Sequence, residues 1–136
     1  PVKESLSVRL RVLFESLSEI IDTHRPTVAA IESVFMAKSA DAALKLGHAR
    51  GAAMVACVIN ELTVFEYAAR QIKQSVVGTG AASKQQVQHM VTALLGLSAE
   101  PAEDAADGLA AALCHCHAEE LSEALAASGF KAGRLR

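Results

Sequence analysis

Apolar side chains recur at helical spacing along most of the chain. The spacing, together with capping residues, predicts four helices: residues 5–23, 39–60, 83–96 and 103–127. Two short apolar runs, residues 28–35 and 63–67, lack that spacing and predict β-strands. The first run is apolar almost throughout, which is typical of a strand buried on both faces. Strands that alternate with helices predict an α/β protein with a parallel sheet.

Two strands alone make a poor sheet, so we expect further strands ahead of Pro1. The sequence shows no internal repeat and no linker, which indicates a single domain over residues 1–136. We expect the end of the chain, residues 128–136, to be loose. Gly47 and Gly51 lie one turn apart within a predicted helix and indicate close packing against a neighbour, because glycine otherwise weakens a helix.

Composition narrows the class of protein. Of the 136 residues, 51% are hydrophobic and 21% are charged, which is typical of a globular domain. No apolar run approaches the ~20 residues of a membrane span, so we expect no membrane partner. The net charge of −2 argues against a uniformly basic nucleic-acid-binding protein but allows a local basic patch. The odd count of three cysteines indicates reduced thiols in the cytoplasm.

Three acidic residues are candidate metal ligands. Asp104 and Asp107 lie one helical turn apart on the same face, where they repel each other unless a cation lies between them. Glu32 lies within an apolar strand, so it must be protonated, paired with a base or bound to a metal. If the last helix packs beside that strand, the three converge on a hard-oxygen site that favours Mg²⁺ or Mn²⁺. Two alternatives stay open: the aspartates complement the helix dipole, and Glu32 pairs with an arginine or lysine.

The stretch between Glu66 and Glu100 contains no acidic residue but carries Arg70, Lys73 and Lys84. One sign of charge over that length suits contact with the phosphates of a nucleic acid. Lys84 opens a predicted helix, where the helix dipole disfavours a cation, and this conflict favours a functional role. A solvated basic surface is the alternative.

Phe35 and Lys38 directly follow the first predicted strand. An exposed aromatic ring beside a lysine suits stacking on a base together with a phosphate contact. Burial of Phe35 in the core is the alternative.

The run Cys-His-Cys-His over residues 114–117 resembles a zinc motif. On a helix, however, only Cys114 and His117 share a face, and the sequence offers no second closely spaced pair. A Cys–His nucleophile is equally poorly supported, because nothing in the sequence orients the histidine. We therefore predict neither a zinc site nor a cysteine nucleophile.

Four segments together resemble the RuvC family of Holliday-junction resolvases: AIESVFMAK (30–38), AALKLGHARG (42–51), QHMV (88–91) and DAADGLA (104–110). The resemblance extends from about Ser5 to His117. It implies an RNase H-like fold and a homodimer that cuts two strands of a four-way DNA junction with Mg²⁺ or Mn²⁺. It also implies that the partners in bacteria are the branch-migration proteins RuvA and RuvB.

The resemblance also implies roles for the acidic residues. Glu32, Asp104 and Asp107 match the second, third and fourth catalytic carboxylates of the family, in that order. The first carboxylate of the family, an aspartate in an Asp-Pro-Gly context on the opening strand, has no match in this sequence. We therefore expect the chain to lack the first strands of the RNase H-like fold and to be inactive by itself.

Among the remaining candidates, Phe35 resembles the aromatic residue that the family places near the bases of the junction. Lys73 and Lys84 resemble the basic residues near the scissile phosphate. Three other interpretations stay open: another RNase H-like nuclease, a non-catalytic junction-binding module, and a helical interaction protein with fortuitous acids.

Overall fold

The computed structural model describes residues 4–34 and 38–128. Within them lie α1 (Leu6–His24), β1 (Val28–Ser33), α2 (Ala40–Ile59), β2 (Thr63–Ala68), α3 (Ala69–Val77), α4 (Lys84–Leu95) and α5 (Glu103–Ala127). Strands β1 and β2 pair in a two-stranded sheet. The predicted helices and strands are confirmed with bounds that differ by at most two residues, and α3 is an additional helix.

The chain divides into two compact units. The described parts of residues 1–29 and 33–66 form unit 1, and those of residues 30–32 and 67–136 form unit 2. Of the predicted loose tail, only Ser128, which caps α5, lies within the described residues. The interpretation of residues 1–136 as one domain stays a prediction.

In unit 1, helix α1 begins and ends at signals that are visible in the sequence. The Ser5 hydroxyl accepts a hydrogen bond from the Val8 N–H, as expected of an N-cap. Arg25 adopts a left-handed conformation, with φ of 51°, and its N–H donates to the Ile21 carbonyl at 2.8 Å. Pro26 follows and cannot continue the helix.

Helices α1 and α2 pack against each other around a small apolar cluster in unit 1. Its buried members are Ile21, Cys57 and Leu62. Within the described chain, close packing at Gly47 and Gly51 is not found: apart from the backbone of α2 itself and the adjacent residues, no atom lies within 4 Å of a Cβ built at either position. Close packing of these glycines against a second copy of the chain stays a prediction.

Helix α2 carries an exposed apolar surface. By length and composition alone, this 20-residue helix would suffice to cross a membrane, since an 18-residue window of it has a mean hydropathy of 1.3. Its charged side chains nevertheless form ion pairs, from Lys45 to Asp41 at 3.0 Å and from Arg50 to Glu66 of β2. These ion pairs and the packing on α1 indicate a helix of a folded domain with an unpartnered apolar face.

The strand β1 is less buried than its sequence predicts. All six of its residues are half-buried, so the expectation of burial on both faces is wrong for the described chain. The physical reason is that the described sheet consists of β1 and β2 alone, so neither strand has a neighbouring strand on both sides.

In unit 2, helices α3, α4 and α5 pack around one hydrophobic core. The buried members of this core are Ile72, Val76, Ala82, Val87, Val91, Ala110, Ala111 and Cys114. Three of these residues are alanine or cysteine on α5, so small side chains let that helix approach its neighbours closely. The core of unit 2 thus holds together the helices that carry most of the candidate residues.

Sequence analysis missed α3 because the helix lacks a conventional N-cap. The residue before it is Ala68, whose backbone N–H instead donates to the Gln71 side chain at 2.9 Å. The remaining signals are Ile72 and Val76, which lie one turn apart and are both buried, and Gly78, which ends the helix with φ of 93°. By contrast, α4 opens with a capping box that is visible in the sequence: the Ser83 hydroxyl accepts from the Gln86 N–H, and the Gln86 side chain accepts from the Ser83 N–H.

Candidate metal and nucleic-acid site

A cavity of about 240 Å³ in unit 2 gathers charged residues from four elements. Its charged lining consists of Glu32 from β1, Lys73 from α3, Lys84 from α4 and Asp107 from α5. The apolar part of the lining comes from Ala69, Ile72, Val87 and Ala110. Two acids and two bases that are distant in sequence therefore surround one small volume.

The packing of each helix explains why these side chains reach the cavity. On α5, Asp107 follows the buried Ala106 and precedes the buried Ala110 by three positions, so it lies at the border of the packed face. On α3, Lys73 follows the buried Ile72 and is itself half-buried. Lys84 is the first residue of α4, three positions before the buried Val87.

The environment of Glu32 disfavours its charge. Partial burial raises the pKa of the Glu32 carboxyl above its ordinary value, and the negative charge of Asp107 raises it further. The positive charges of Lys73 and Lys84 act in the opposite direction without cancelling the shift. The two lysines therefore compensate the charge of Glu32 only in part. The cavity leaves room for a cation beside the carboxylate.

Lys84 forms an ion pair with Glu103 of α5, with 2.5 Å between Nζ and Oε1. This hydrogen bond and the charge of Glu103 raise the pKa of Lys84, and the charges of Asp107 and Asp104 add to the effect. Glu103 offsets the unfavourable helix dipole at the start of α4. Sequence reasoning missed Glu103, and its only signal was its position in the first turn of α5 directly before Asp104.

The third candidate ligand, Asp104, does not line the cavity with Glu32 and Asp107. It is exposed in the first turn of α5, where it also complements the helix dipole. In the described parts of the chain, no group of three histidine, cysteine or acidic side chains is close enough to hold a metal ion. The structure thus brings two of the three predicted carboxylates to one cavity and leaves the third one turn away.

The donor chemistry of this cavity fits a hard divalent cation. Glu32 and Asp107 supply carboxylate oxygens, which are the ligands that Mg²⁺ and Mn²⁺ prefer. A cation between them would also relieve the repulsion that raises the pKa of Glu32. We conclude that the residues present fit a metal that completes its coordination with water or a phosphate.

The other candidate DNA-contacting residues lie in different places. Arg70 is exposed at the start of α3, and its side chain lies against the backbone of Gly80, where an added Cβ would be 2.6 Å from the arginine Cγ. Lys38 is exposed directly before α2 in unit 1. Phe35 lies outside the described residues.

Both histidines of the Cys-His-Cys-His run make hydrogen bonds with other elements. His115 Nδ1 lies 2.6 Å from the Tyr67 hydroxyl of β2, and His117 Nδ1 lies 2.9 Å from the Ser75 hydroxyl of α3. Cys114 is buried in the core of unit 2, and burial raises the pKa of its thiol. Both histidines and Cys114 therefore contribute to the contacts between α5 and its neighbours.

Comparison with known proteins decides the family. The family described as "Crossover junction endodeoxyribonuclease RuvC" matches residues 2–115. The chain belongs to the RuvC family. The resemblance noted in the sequence is therefore confirmed.

RuvC proteins of two bacteria illustrate the similarity. The "Crossover junction endodeoxyribonuclease RuvC" of Teredinibacter turnerae is 58% identical over 134 residues, which cover 98% of this chain and 76% of the relative. The protein of the same name from Saccharophagus degradans is 60% identical over 133 residues, which cover 97% of this chain and 77% of the relative.

Solved RuvC structures confirm the predicted fold class, α/β with an RNase H-like fold. The structure of Thermus thermophilus RuvC in complex with a Holliday junction substrate matches with a TM-score of 0.82 and 32% identity. The match covers 88% of this chain and 73% of the Thermus chain. A second structure of Thermus thermophilus RuvC matches with a TM-score of 0.80 over the same shares.

Proposed function

We propose that this protein is a crossover junction endodeoxyribonuclease, which cuts four-way DNA junctions by metal-dependent hydrolysis of phosphodiester bonds. The observation that carries the proposal is the cavity in which Glu32 and Asp107 face Lys73 and Lys84, in a chain of the RuvC family. Acids that can hold a cation and bases that can hold a phosphate are the two requirements of this reaction. The product is DNA that recombination and repair can rejoin.

The carboxylates supply the metal-binding part of the proposed site. Glu32 and Asp107 would hold Mg²⁺ or Mn²⁺ from inside the cavity, with Asp104 as a further ligand or proton acceptor one turn away. Such cations activate water and stabilise the leaving 3′-oxygen in phosphodiester hydrolysis. The raised pKa of Glu32 supports this assignment, because a bound cation would favour its charged form.

The lysines supply the phosphate-binding part. Lys73 is half-buried and faces the cavity, so its charge acts on a bound phosphate with little screening by solvent. Lys84 lies at the opening of the same cavity and is exposed, which suits a contact that forms when DNA arrives. Both would neutralise the charge that develops on the scissile phosphate.

Other residues would contact the junction further from the scissile bond. We propose phosphate contacts for Arg70 and Lys38, both of which are exposed. Phe35, in the segment between β1 and α2, would stack on a base near the crossover. The first carboxylate of the family has no match among these residues and would have to come from a strand outside this sequence.

We also propose that the protein acts as a homodimer. A two-fold pair presents two equal sites to the two equivalent strands of a four-way junction. The exposed apolar side chains of α2 support this assembly, since Leu44, Val58 and Ile59 are each more than 60% exposed. The resemblance adds RuvA and RuvB as partners, and free thiols at Cys57 and Cys114 suit a cytoplasmic location.

The decisive experiment measures cutting and binding of a labelled four-way junction by Asp107→Asn, in residues 1–136 with the Asp-bearing strand of a relative joined ahead of Pro1, because the sequence by itself lacks the first carboxylate of the family. All measurements of cutting by variants use this extended chain. We expect cutting to fall by at least about a hundredfold, because an amide holds a cation poorly, while junction affinity changes by less than about threefold. Asp22→Asn, an exposed aspartate of α1, is the matched control and should leave both quantities unchanged. Undiminished cutting by Asp107→Asn would overturn the proposal.

The same assay separates the other candidate functions. The assay compares two forms of the protein: residues 1–136 alone, and residues 1–136 with the Asp-bearing strand of a relative joined ahead of Pro1. Binding without cutting in both forms would favour a non-catalytic junction-binding module. Cutting of RNA–DNA hybrids in preference to junctions would favour a different RNase H-like nuclease.

A further inference from the structure

The last helix is connected by hydrogen bonds to two elements that flank the candidate site. His115 Nδ1 lies 2.6 Å from the hydroxyl of Tyr67, which is the fifth residue of β2. His117 Nδ1 lies 2.9 Å from the hydroxyl of Ser75 on α3. Each contact joins residues that are far apart in sequence and neither belongs to a regular hydrogen-bond ladder, so each specifies how α5 is placed.

The surroundings of His115 specify how its contact is made. Its side chain is 7% exposed, and Nε2 lies 3.1 Å from a carboxylate oxygen of Glu119. Nδ1 and the Tyr67 hydroxyl form one hydrogen bond, in which either atom can be the donor. Contacts on two sides of the buried ring therefore favour one orientation of the His115 side chain.

The fully buried part of α5 near the cavity consists of small side chains. Its buried residues there are Ala106, Ala110 and Ala111, while the half-buried Leu109 and Leu113 pack against the same core. Alanines present few projections, so they contribute little resistance to a small slide or rotation of the helix. Directional hydrogen bonds change steeply with distance and angle and can supply the missing constraint.

A shift of α5 would be transmitted directly to the candidate site. Asp107 precedes His115 by eight positions, about 12 Å along the rigid helix, so a slide at His115 displaces the carboxylate by the same amount. The partners of the two histidines are equally close to the cavity. Ser75 follows the cavity residue Lys73 by two positions on α3, and Tyr67 precedes the cavity residue Ala69 by two.

We propose that the Tyr67–His115 and Ser75–His117 hydrogen bonds are positioning contacts that set the axial position of α5, and with it the placement of Asp107 opposite Glu32 and Lys73. The inference rests on the proposed function, since it assigns Asp107 to metal binding. Tyr67, Ser75 and both histidines act through Asp107 and do not touch the substrate. The Cys-His-Cys-His run is thereby assigned a role other than zinc binding.

The first test removes only a hydroxyl group. Tyr67→Phe should lower kcat for junction cutting about tenfold and raise the half-saturating metal concentration about tenfold, while KM for the junction stays unchanged. Calorimetric titration of Mn²⁺ into the DNA-free protein should show the same weakening. Ser75→Ala should act in the same direction, and Ser122→Ala, on the exposed end of α5, is its control.

The second test asks whether the hydrogen bond itself is needed. The amide of asparagine can occupy the place of Nδ1 and keep the contact with Tyr67, whereas the amide of glutamine lies nearer the place of Nε2. His115→Asn should therefore retain most of the Mn²⁺ affinity, and His115→Gln should resemble Tyr67→Phe. Equal Mn²⁺ affinities of these two variants would overturn the inference.

A check of folding keeps the outcome unambiguous. Mn²⁺ titrations are made only at temperatures where circular dichroism shows each variant folded. A loss of thermal stability in Tyr67→Phe without weaker Mn²⁺ binding would overturn the inference but leave the proposed function intact. Full cutting by Asp107→Asn would instead overturn the proposed function.

Discussion

Glu32 on β1 and Asp107 on α5 line the same cavity although they lie far apart in sequence. Partial burial raises the pKa of the Glu32 carboxyl, and the charge of Asp107 raises it further. Burial and the neighbouring charge of Asp107 thus disfavour the ionised form of Glu32 in the absence of a cation. A divalent ion between the Glu32 and Asp107 carboxylates would make the ionised forms favourable. The unfavourable electrostatic environment of Glu32 is therefore consistent with a metal site.

The first prediction concerns pH. Because the pKa of Glu32 is raised in the folded protein, its protonated form favours folding, and this contribution is present below the unfolded value near 4.5 and lost as pH rises through the raised value. Glu32→Gln should therefore gain stability relative to the unmodified protein on going from pH 4 to pH 7 in metal-free buffer. Denaturant unfolding at both pH values measures the difference, and an equal difference at both would contradict the prediction.

The second prediction concerns metal binding and stability. A cation that binds only the folded chain should stabilise it by about 2.7 kcal/mol at a concentration one hundred times Kd. We expect Mn²⁺ or Mg²⁺ to raise the Tm of the unmodified protein and to have little effect on Asp107→Asn or Glu32→Gln. Asp41→Asn, on the exposed start of α2, is the control and should keep the full rise. Equal rises in all variants would argue against the cavity as the binding site.

The third prediction concerns Lys84 and the salt dependence of DNA binding. If its ammonium contacts a phosphate, Lys84→Ala should reduce the slope of log Kd against log salt by about 0.9. Cutting should also slow, because less positive charge remains to stabilise the reacting phosphate. Arg11→Ala, an exposed cation of α1, should leave both quantities unchanged. Mobility-shift titrations between 50 and 200 mM salt, roughly the range over which such slopes are defined, provide the measurement.

The fourth prediction concerns Glu103, the ion-pair partner of Lys84. Both side chains are at least half-exposed, so solvent screens the pair and Glu103→Gln should leave the stability of the fold nearly unchanged. Junction affinity should rise about two- to fivefold, because removal of the acid releases Lys84 for a phosphate and removes a repulsive charge. Glu123→Gln, further along α5, is the matched control. An affinity gain of the same size in the control would assign the effect to net charge alone.

Several features of the fold followed from short stretches of sequence. Ser39 and Ser83 each cap a helix as predicted, because a cap and its N–H partner lie within three residues of each other. Ser5, predicted as the first residue of a helix, is the N-cap of α1. Helix α3 was missed for the complementary reason that its N-cap is an alanine. Ile72, Val76 and Gly78 were visible in the sequence, but they indicate the start of a helix less clearly than an N-cap does.

The composition of the candidate site was only partly predictable. The types of residue and their family resemblance indicated Glu32, Asp107, Lys73 and Lys84, and the structure brings all four to one cavity. The same reasoning placed Asp104 with them, although it lies outside that lining. Helical spacing shows that two side chains share a face, but the neighbouring elements decide which of the two faces a cavity.

Taken by itself, the sequence determined the helices and strands, the residue types available for chemistry and the membership of a family, because these depend on interactions or patterns within short segments. Only the tertiary structure decided that Glu103 pairs with Lys84 and that His115 bonds to Tyr67. Such contacts depend on how distant segments pack, and small differences in helix position select among partners that are equivalent by composition. The placement of α5 is therefore the feature in which the tertiary structure adds most to the sequence.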